Sequence, residues 1–352
     1  MDAHGTKERR TALVLGATGG IGGAMARALA ARGWSVRGLR RKPADAAGPP
    51  GIAPSGIAWS VGDALNPADV AAAAEGASLI VHAVNPPGYR DWDRLVLPML
   101  DSSIAAARAN RARILLPGTV YNYGPDVFPL IDETAAQNPV SRKGAIRVAM
   151  ERRLHRAVDD GARLLILRAG DFFGPHAGNS WFAQGLLTPG RPLNRINRPG
   201  RPGVGHQWAY LPDVAETAMR LLDREAELGD AATFHMDGQW DADGDRMIAA
   251  IAHAMAQAGG KPDLPVRRMP WWLLRLASPV VPLFRELNEM RYLWERPVRL
   301  DNRRLLAFLG EEPRTPLDVA VRRTLAGLGH LPNQPADAPE AERWTLSQTT
   351  GG

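Results

Sequence analysis

The 352-residue chain sets 43 lysines and arginines against 37 acids, for a formal net charge of +6, with 45% hydrophobic and 23% charged residues. That is the profile of an ordinary globular protein with enough core for one large domain or two modest ones. It has no cysteine, which excludes disulfides, thiolate chemistry and zinc–thiolate sites, and no two of its eight histidines sit four apart, so no metal site is expected. The basic residues are mostly arginine, dispersed and often beside an acid, so no nucleic-acid partner is expected. Met1 to Arg10 lacks the apolar core of a signal peptide, and no apolar run reaches the ~20 residues of a bilayer crossing. The expectation is a cytoplasmic protein without stable membrane insertion.

Leu13-Val14-Leu15 is a continuously apolar run that suits a strand buried on both faces. Gly16, Gly19 and Gly22 then punctuate a tight turn, and an alanine-rich helix runs from Ile21 to Arg32 until Gly33 stops it. Strand, glycine turn and helix together make an anion site. Without Cβ atoms the backbone can approach a pyrophosphate, which meets free N–H groups and the positive end of the helix dipole. The turn residues Gly16, Thr18, Gly19, Gly20, Ile21 and Gly22 are therefore the first cofactor candidates.

A second strand covers Trp34 to Leu39 and ends at Arg40-Arg41-Lys42, followed by a loop to Gly56 rich in Pro, Ala and Gly. Ile57 to Val61 is a third strand closed by Gly62-Asp63, Pro67 to Glu75 a helix, and Ser78 to Val84 a fourth strand. Trp92 to Asn110 is a long helix, Ile114 to Leu116 a fifth strand leading into Pro117-Gly118-Thr119, Arg142 to Ala157 a helix, and Arg163 to Ala169 a sixth strand. Strands alternating with helices imply a parallel, doubly wound α/β sheet. Beyond Gly174 the alternation fades. The stretch from Pro189 to Gly205 is expected to be loop, Asp213 the N-cap of a helix to Leu222, Phe234 to Met236 a strand, and Asp245 to Ala258 a helix. The Trp271-Trp272-Leu273-Leu274 stretch could anchor on a membrane surface, but the interrupting Arg275, Pro279, Pro282 and Arg285 favour rings that cover the core or wall a pocket. From about Pro332 the composition is that of a disordered tail.

These features together resemble the extended short-chain dehydrogenase/reductases, the NAD-dependent epimerase/dehydratase family. Besides the glycine turn, Gly62-Asp63 resembles the family's adenine-contacting acid, with Ala64 beside it, and His82-Ala83-Val84 resembles the residues lining the cofactor. Thr119, four residues before Tyr123-Gly124, resembles the catalytic Ser/Thr. Arg168 to Pro175 (Arg-Ala-Gly-Asp-Phe-Phe-Gly-Pro) resembles the signature before the substrate domain, and Tyr210 to Ala215 a later landmark, so the likeness spans roughly Thr11 to Leu328. The resemblance implies a Rossmann dinucleotide-binding domain over residues 8–176, with 206–238 returning to it. A smaller substrate domain would cover 177–205 and 239–331, and a flexible tail 332–352.

Arg40 discriminates between cofactors. It ends the second strand, where an acid would hydrogen-bond the ribose hydroxyl of NAD. A guanidinium can instead grip a 2′-phosphate, and with Arg41 and Lys42 adjacent NADP(H) is expected over NAD(H).

The departure from the family lies in the helix from Arg142. The expected Tyr-x-x-x-Lys dyad, counted back from Glu151, reads Lys143-x-x-x-Arg147, and none of the five tyrosines has a lysine four residues on. Arg147 can keep the ribose contacts and the positive field. Lys143 can replace the phenol if its pKa, near ~10.4 when free, is depressed. Tyr121 is the alternative donor, on the same side as Thr119 if the strand continues, and a donor elsewhere is the third option. The expected function is an NADP(H)-dependent oxidoreductase acting on a small hydroxyl- or carbonyl-bearing substrate, with a homodimer left open. The alternatives are a cofactor-binding sensor without catalysis and a nucleotide-sugar epimerase or dehydratase.

Overall fold

The computed structural model describes residues 10–42, 56–86, 91–260 and 263–332. Most of the expected loop before Gly56, the tail from 333 and Tyr89 lie outside the described residues. In the N-terminal half the elements alternate as β1 (Thr11–Leu15), α1 (Gly20–Ala31), β2 (Ser35–Arg40), β3 (Ile57–Val61), α2 (Pro67–Ala73), β4 (Leu79–His82), α3 (Trp92–Asn110), β5 (Arg113–Gly118), a two-residue β6 (Leu130–Ile131), α4 (Arg142–Asp159) and β7 (Arg163–Arg168). There follow β8 (Asp171–Phe173), β9 (Ile196–Arg198), β10 (His206–Tyr210), α5 (Leu211–Asp223), β11 (Ala231–His235), β12 (Gln239–Asp241), α6 (Arg246–Gln257), β13 (Val266–Arg268), α7 (Trp271–Ala277), α8 (Pro282–Glu289), β14 (Arg299–Leu300), α9 (Arg303–Leu309) and α10 (Leu317–Gly327).

Seven strands form one parallel sheet in the order β11-β7-β5-β4-β1-β2-β3. The apolar runs alternate across it. Ala12, Val14, Leu79, Val81, Leu165 and Leu167 pack with α1 and α5 on one face. Leu13, Leu15, Ile80, Ile114, Leu116, Leu164 and Ile166 pack with α2, α3 and α4 on the other. The sheet is thus doubly wound, and its order reverses between β1 and β4, where such sheets open a crevice beyond the strand ends.

Two expectations change in the second half. Asp213 is not an N-cap. Pro212 lets α5 begin at Leu211 behind Tyr210, and the Asp213 carboxylate instead accepts from the backbone N–H and hydroxyl of Thr315, at 2.8 and 2.6 Å. The stretch from Pro189 to Gly205 is not all loop, because Ile196 to Arg198 forms β9, paired in parallel with β13. A second sheet, β12-β10-β8, follows the central one; its strands are short and Gly170 separates β8 from β7 by two residues, which hid them in the sequence. Asp245 is the N-cap residue of α6, as the expected helix from Asp245 to Ala258 has it, and the Asp241 carboxylate accepts from the N–H groups of Arg246 and Met247.

A third core lies under the C-terminal elements and holds Phe173, Phe182, Trp208, Tyr210 and Trp294. The tryptophan-rich segment divides. Trp271 donates its indole N–H to the Pro199 carbonyl at 2.8 Å, whereas Trp272 is 72% exposed and covers nothing. Helical spacing explains this, since α7 is a short helix of seven residues with Trp271 and Leu274 inward. No helix among the described residues is long and apolar enough to cross a membrane.

Candidate functional site

The glycine turn lies at the C-terminal end of β1. Gly16 has φ +86°, and a Cβ there would lie 2.5 Å from the Ala83 carbonyl oxygen; a Cβ on Gly22 would lie 2.2 Å from the Gly16 oxygen. These two glycines are required by the protein's own packing. Gly19 differs. It is the exposed N-cap of α1, and its Cβ would meet nothing nearer than 3.3 Å. No side chain caps α1 and its first turn holds no acid, so Gly20, Ile21 and Gly22 present N–H groups beside exposed Thr18. A diphosphate fits this cradle in charge and in space.

Arg40 ends β2 with its guanidinium 4.8 Å from the Trp59 ring centroid, and its buried Nε has no partner among the described residues. Arg41 is exposed. Asp63 donates its backbone N–H to Asp69 at 2.8 Å, and one carboxylate oxygen accepts from Leu65 N–H at 3.0 Å, with Ala64 buried beside it. Ala83 and Val84 are half-buried, with Ala83 N–H bonded to the Leu15 carbonyl at 3.0 Å. The His82 ring is turned away from solvent. Ser103 Oγ donates to the Met99 carbonyl and so accepts from His82 Nδ1 at 2.8 Å, which leaves Nε2 as a lone pair without a partner. Burial, then the Arg147 charge, lowers the His82 pKa to about 3, so the ring is neutral.

Beyond β5 the strand does not continue. Thr119 caps a single 3₁₀ turn over Val120 to Asn122, its Oγ1 accepting from Tyr121 N–H at 3.4 Å. The premise that put Thr119 and Tyr121 on one side by strand alternation therefore fails. The turn instead aims the Tyr121 hydroxyl at Asp171 Oδ1, 3.2 Å away, and Asp171 Oδ2 lies 2.8 Å from His206 Nε2. The His206 ring stacks on Trp294 with centroids 3.7 Å apart, and its Nδ1 is buried without a partner at a cavity of about 20 Å³. Asp171 lies within the Arg168–Pro175 signature, but nothing in the sequence marked its side chain, and nothing marked His206.

On α4, Ser141 caps the helix through Gly144 N–H at 3.0 Å, Lys143 is buried and gives its backbone N–H to Glu289, also at 3.0 Å, and Arg147 reaches Asn85 at 3.4 Å with its guanidinium 5.4 Å from the Trp92 ring. Glu151 has a different task. It is buried against Arg168 at 2.9 Å and takes further bonds from Asn122 and Gln137. Arg168 holds its pKa down against the opposing effect of burial. Arg168 also donates to the Thr119 carbonyl and to His235 Nε2, which the Tyr123 hydroxyl shares. Tyr123, of the Tyr-Gly pair, is thereby a core residue whose pKa burial raises to about 12. Among the described residues no group of His, Asp and Glu could hold a metal.

Residues 16–150 match the family model described as NAD(P)H-binding. No curated protein matches the chain by sequence. Among solved structures, a Burkholderia cenocepacia J2315 protein crystallised as a candidate epimerase superposes with a TM-score of 0.70 at 21% identity, covering 91% of this chain and 98% of its own. UDP-glucose 4-epimerase from Brucella ovis, in complex with NAD, gives 0.69 at 18%, covering 91% and 98%. UDP-glucuronic acid 4-epimerase from Bacillus cereus, also with NAD, gives 0.69 at 16%, covering 92% and 100%. The chain shares the fold of these proteins over nearly its whole described length.

Proposed function

We propose that the protein is an NADP(H)-dependent oxidoreductase of the extended short-chain dehydrogenase/reductase family, acting on a small hydroxyl- or carbonyl-bearing metabolite. The observation that carries the proposal is the Tyr121–Asp171–His206 chain, which begins two residues past Thr119, within the 3₁₀ turn that follows β5. In this proposal the cofactor domain up to residue 176, with α5 and β11, holds the dinucleotide, and 177–205 with 239–331 closes over the substrate. The glycine turn with Gly16, Thr18, Gly19, Gly20, Ile21 and Gly22 takes the diphosphate, Asp63 the adenine side, and Arg40 with Arg41 a 2′-phosphate. Arg147 keeps the positive field that the missing lysine of the dyad would supply.

When bound, the nicotinamide supplies or accepts the hydride. In the reducing direction Thr119 orients the substrate oxygen and Tyr121 gives it a proton. Asp171 then bridges the resulting phenolate to His206, so that the Nε2 proton of His206 passes through the carboxylate to restore the phenol as Nδ1 takes up one proton from solvent, which leaves the imidazole neutral.

The test is NADPH oxidation across a panel of aldehydes and ketones. Tyr121→Phe should lower kcat by about 10²-fold or more while sparing NADPH affinity. Lys143→Met should leave the chemical step nearly intact. Loss of turnover at Lys143 and not at Tyr121 would move the donor to the lysine. Tight NADPH binding with no turnover on any carbonyl or alcohol would favour the sensor function.

A further inference from the structure

The larger cavity, about 510 Å³, lies between β12, α6, β14 and the start of α10, and shares no lining residue with the glycine turn or with Tyr121, Asp171 and His206. Three arginines line it, Arg246, Arg299 and Arg314, with Asp237 the single lining carboxylate. The guanidiniums are already fixed. Arg299 binds both oxygens of Asp237 at 2.7 and 3.0 Å, Arg314 adds a bond at 2.9 Å, and Arg246 donates to the Trp240 carbonyl at 3.0 Å. The nearby Glu312 is buried and spends its carboxylate on the backbone N–H groups of Asp237 and Gly238, and Asp318 is exposed in the first turn of α10.

The lining therefore carries three positive charges against one negative. Each guanidinium has five N–H donors, and only one or two of them are spent here. Arg299 and Arg314 remain 41% and 46% exposed at the side chain, whereas Asp237 is 7% exposed. Of the lining charges the cations are therefore the more exposed, and their counter-ion is the buried one. An incoming anion would meet donors whose rotamers are already held, which lowers the ordering cost of binding. The rest of the wall is mixed: Gln239 and Thr315 are polar, and Trp240, Pro316 and Leu317 supply the apolar part, with the Arg299 guanidinium 5.6 Å from the Trp240 ring centroid.

We propose that this cavity is a second ligand site for a small organic phosphate, whose dianionic head is gripped by the arginines and whose ring or apolar body lies on Trp240 and Leu317. A phosphate suits it better than a single carboxylate because three guanidiniums line one space, a net positive surplus that remains with Asp237 in the lining and Glu312 3.9 Å from Arg314 both counted.

The test is calorimetric titration of the full chain with phenyl phosphate and with inorganic phosphate. Phenyl phosphate should bind the more tightly, and Trp240→Ala should erase its advantage. Arg246→Ala, which removes one bond to a carbonyl, and Arg314→Ala should each weaken both ligands by about tenfold or more. Arg314→Lys, which keeps the charge and loses the fork, should fall between and serves if the alanine variant does not fold. Gly19→Ala, at the other phosphate-binding turn, should leave the titration as it is. No binding at millimolar ligand, affinities unchanged by Arg246→Ala and Arg314→Ala, or loss through Gly19→Ala would each overturn the proposal.

Discussion

At the scale of single residues, two buried histidines set the response to acid. His82 and His235 each have a pKa lowered to about 3, chiefly by burial, with Arg147 and Arg168 as the respective second causes. His235 accepts from Arg168 at Nε2 and gives Nδ1–H to the Ile131 carbonyl, so its neutral form is built into the core. The folded values lie below the unfolded 6.5, so this stability is complete above pH 6.5 and is lost as pH falls towards 3. Each residue should cost about 1.4 kcal/mol per pH unit in that window. Denaturant unfolding at pH 7.5 and 5.5 should differ by roughly 2–3 kcal/mol for the pair, and His82→Asn should halve the difference. Glu151, whose value Arg168 holds below the usual carboxylate range, does not titrate between pH 7.5 and 5.5. Arg40 makes a separate prediction. A charge-assisted phosphate contact is worth about 1–3 kcal/mol, so NADPH should bind more tightly than NADH by that amount. Arg40→Asp should abolish or invert the preference in calorimetry, and equal affinities in the unaltered protein would refute the assignment.

At the scale of elements, the glycine turn separates two kinds of glycine that the sequence spacing made equivalent. Gly19→Val should fold and lose dinucleotide affinity, because a Cβ there meets only the Gly16 carbonyl oxygen, at 3.3 Å, and would crowd the space proposed for the diphosphate. Gly22→Val should lower the melting temperature steeply, because its Cβ would meet the Gly16 carbonyl. The β1–turn–α1 unit was legible because an apolar run, glycines and an alanine-rich helix each signal locally. The parallel strands β1 to β5 and β7 were legible for the same reason, to within a residue or two at each end, whereas β11 begins three residues before the expected Phe234. β8, β9, β10 and β12 were not, since three to five residues give no periodicity to read. Asp213 had the composition of a cap, yet Pro212 and a distant Thr315 decided its role. For the candidate site, Lys143 and Arg147 follow from helix register. The Asp171–His206 pairing joins residues 35 apart through a second sheet that no local pattern announces.

At the scale of the whole molecule, the two sheets are sewn together near Gly170. A Cβ there would lie 2.3 Å from the Gln207 carbonyl oxygen. The buried Gln207 amide bonds the Asp237 carbonyl at 2.7 Å and accepts Leu300 N–H at 2.9 Å, so one side chain ties β10, the end of β11 and β14. The order of the central sheet has a consequence for how the chain is made. β7, with Leu164 to Leu167 buried, reaches its outer neighbour only when Ala231–His235 arrives, some 67 residues later (231 against 164). During synthesis that apolar edge stays unpaired, with its backbone donors and acceptors open to another copy of the same strand. A fragment ending at residue 228 should therefore partition into the pellet when expressed, while the full chain stays in the supernatant. A fragment that remained dispersed and monomeric at high concentration would mean that something other than β11 guards this edge.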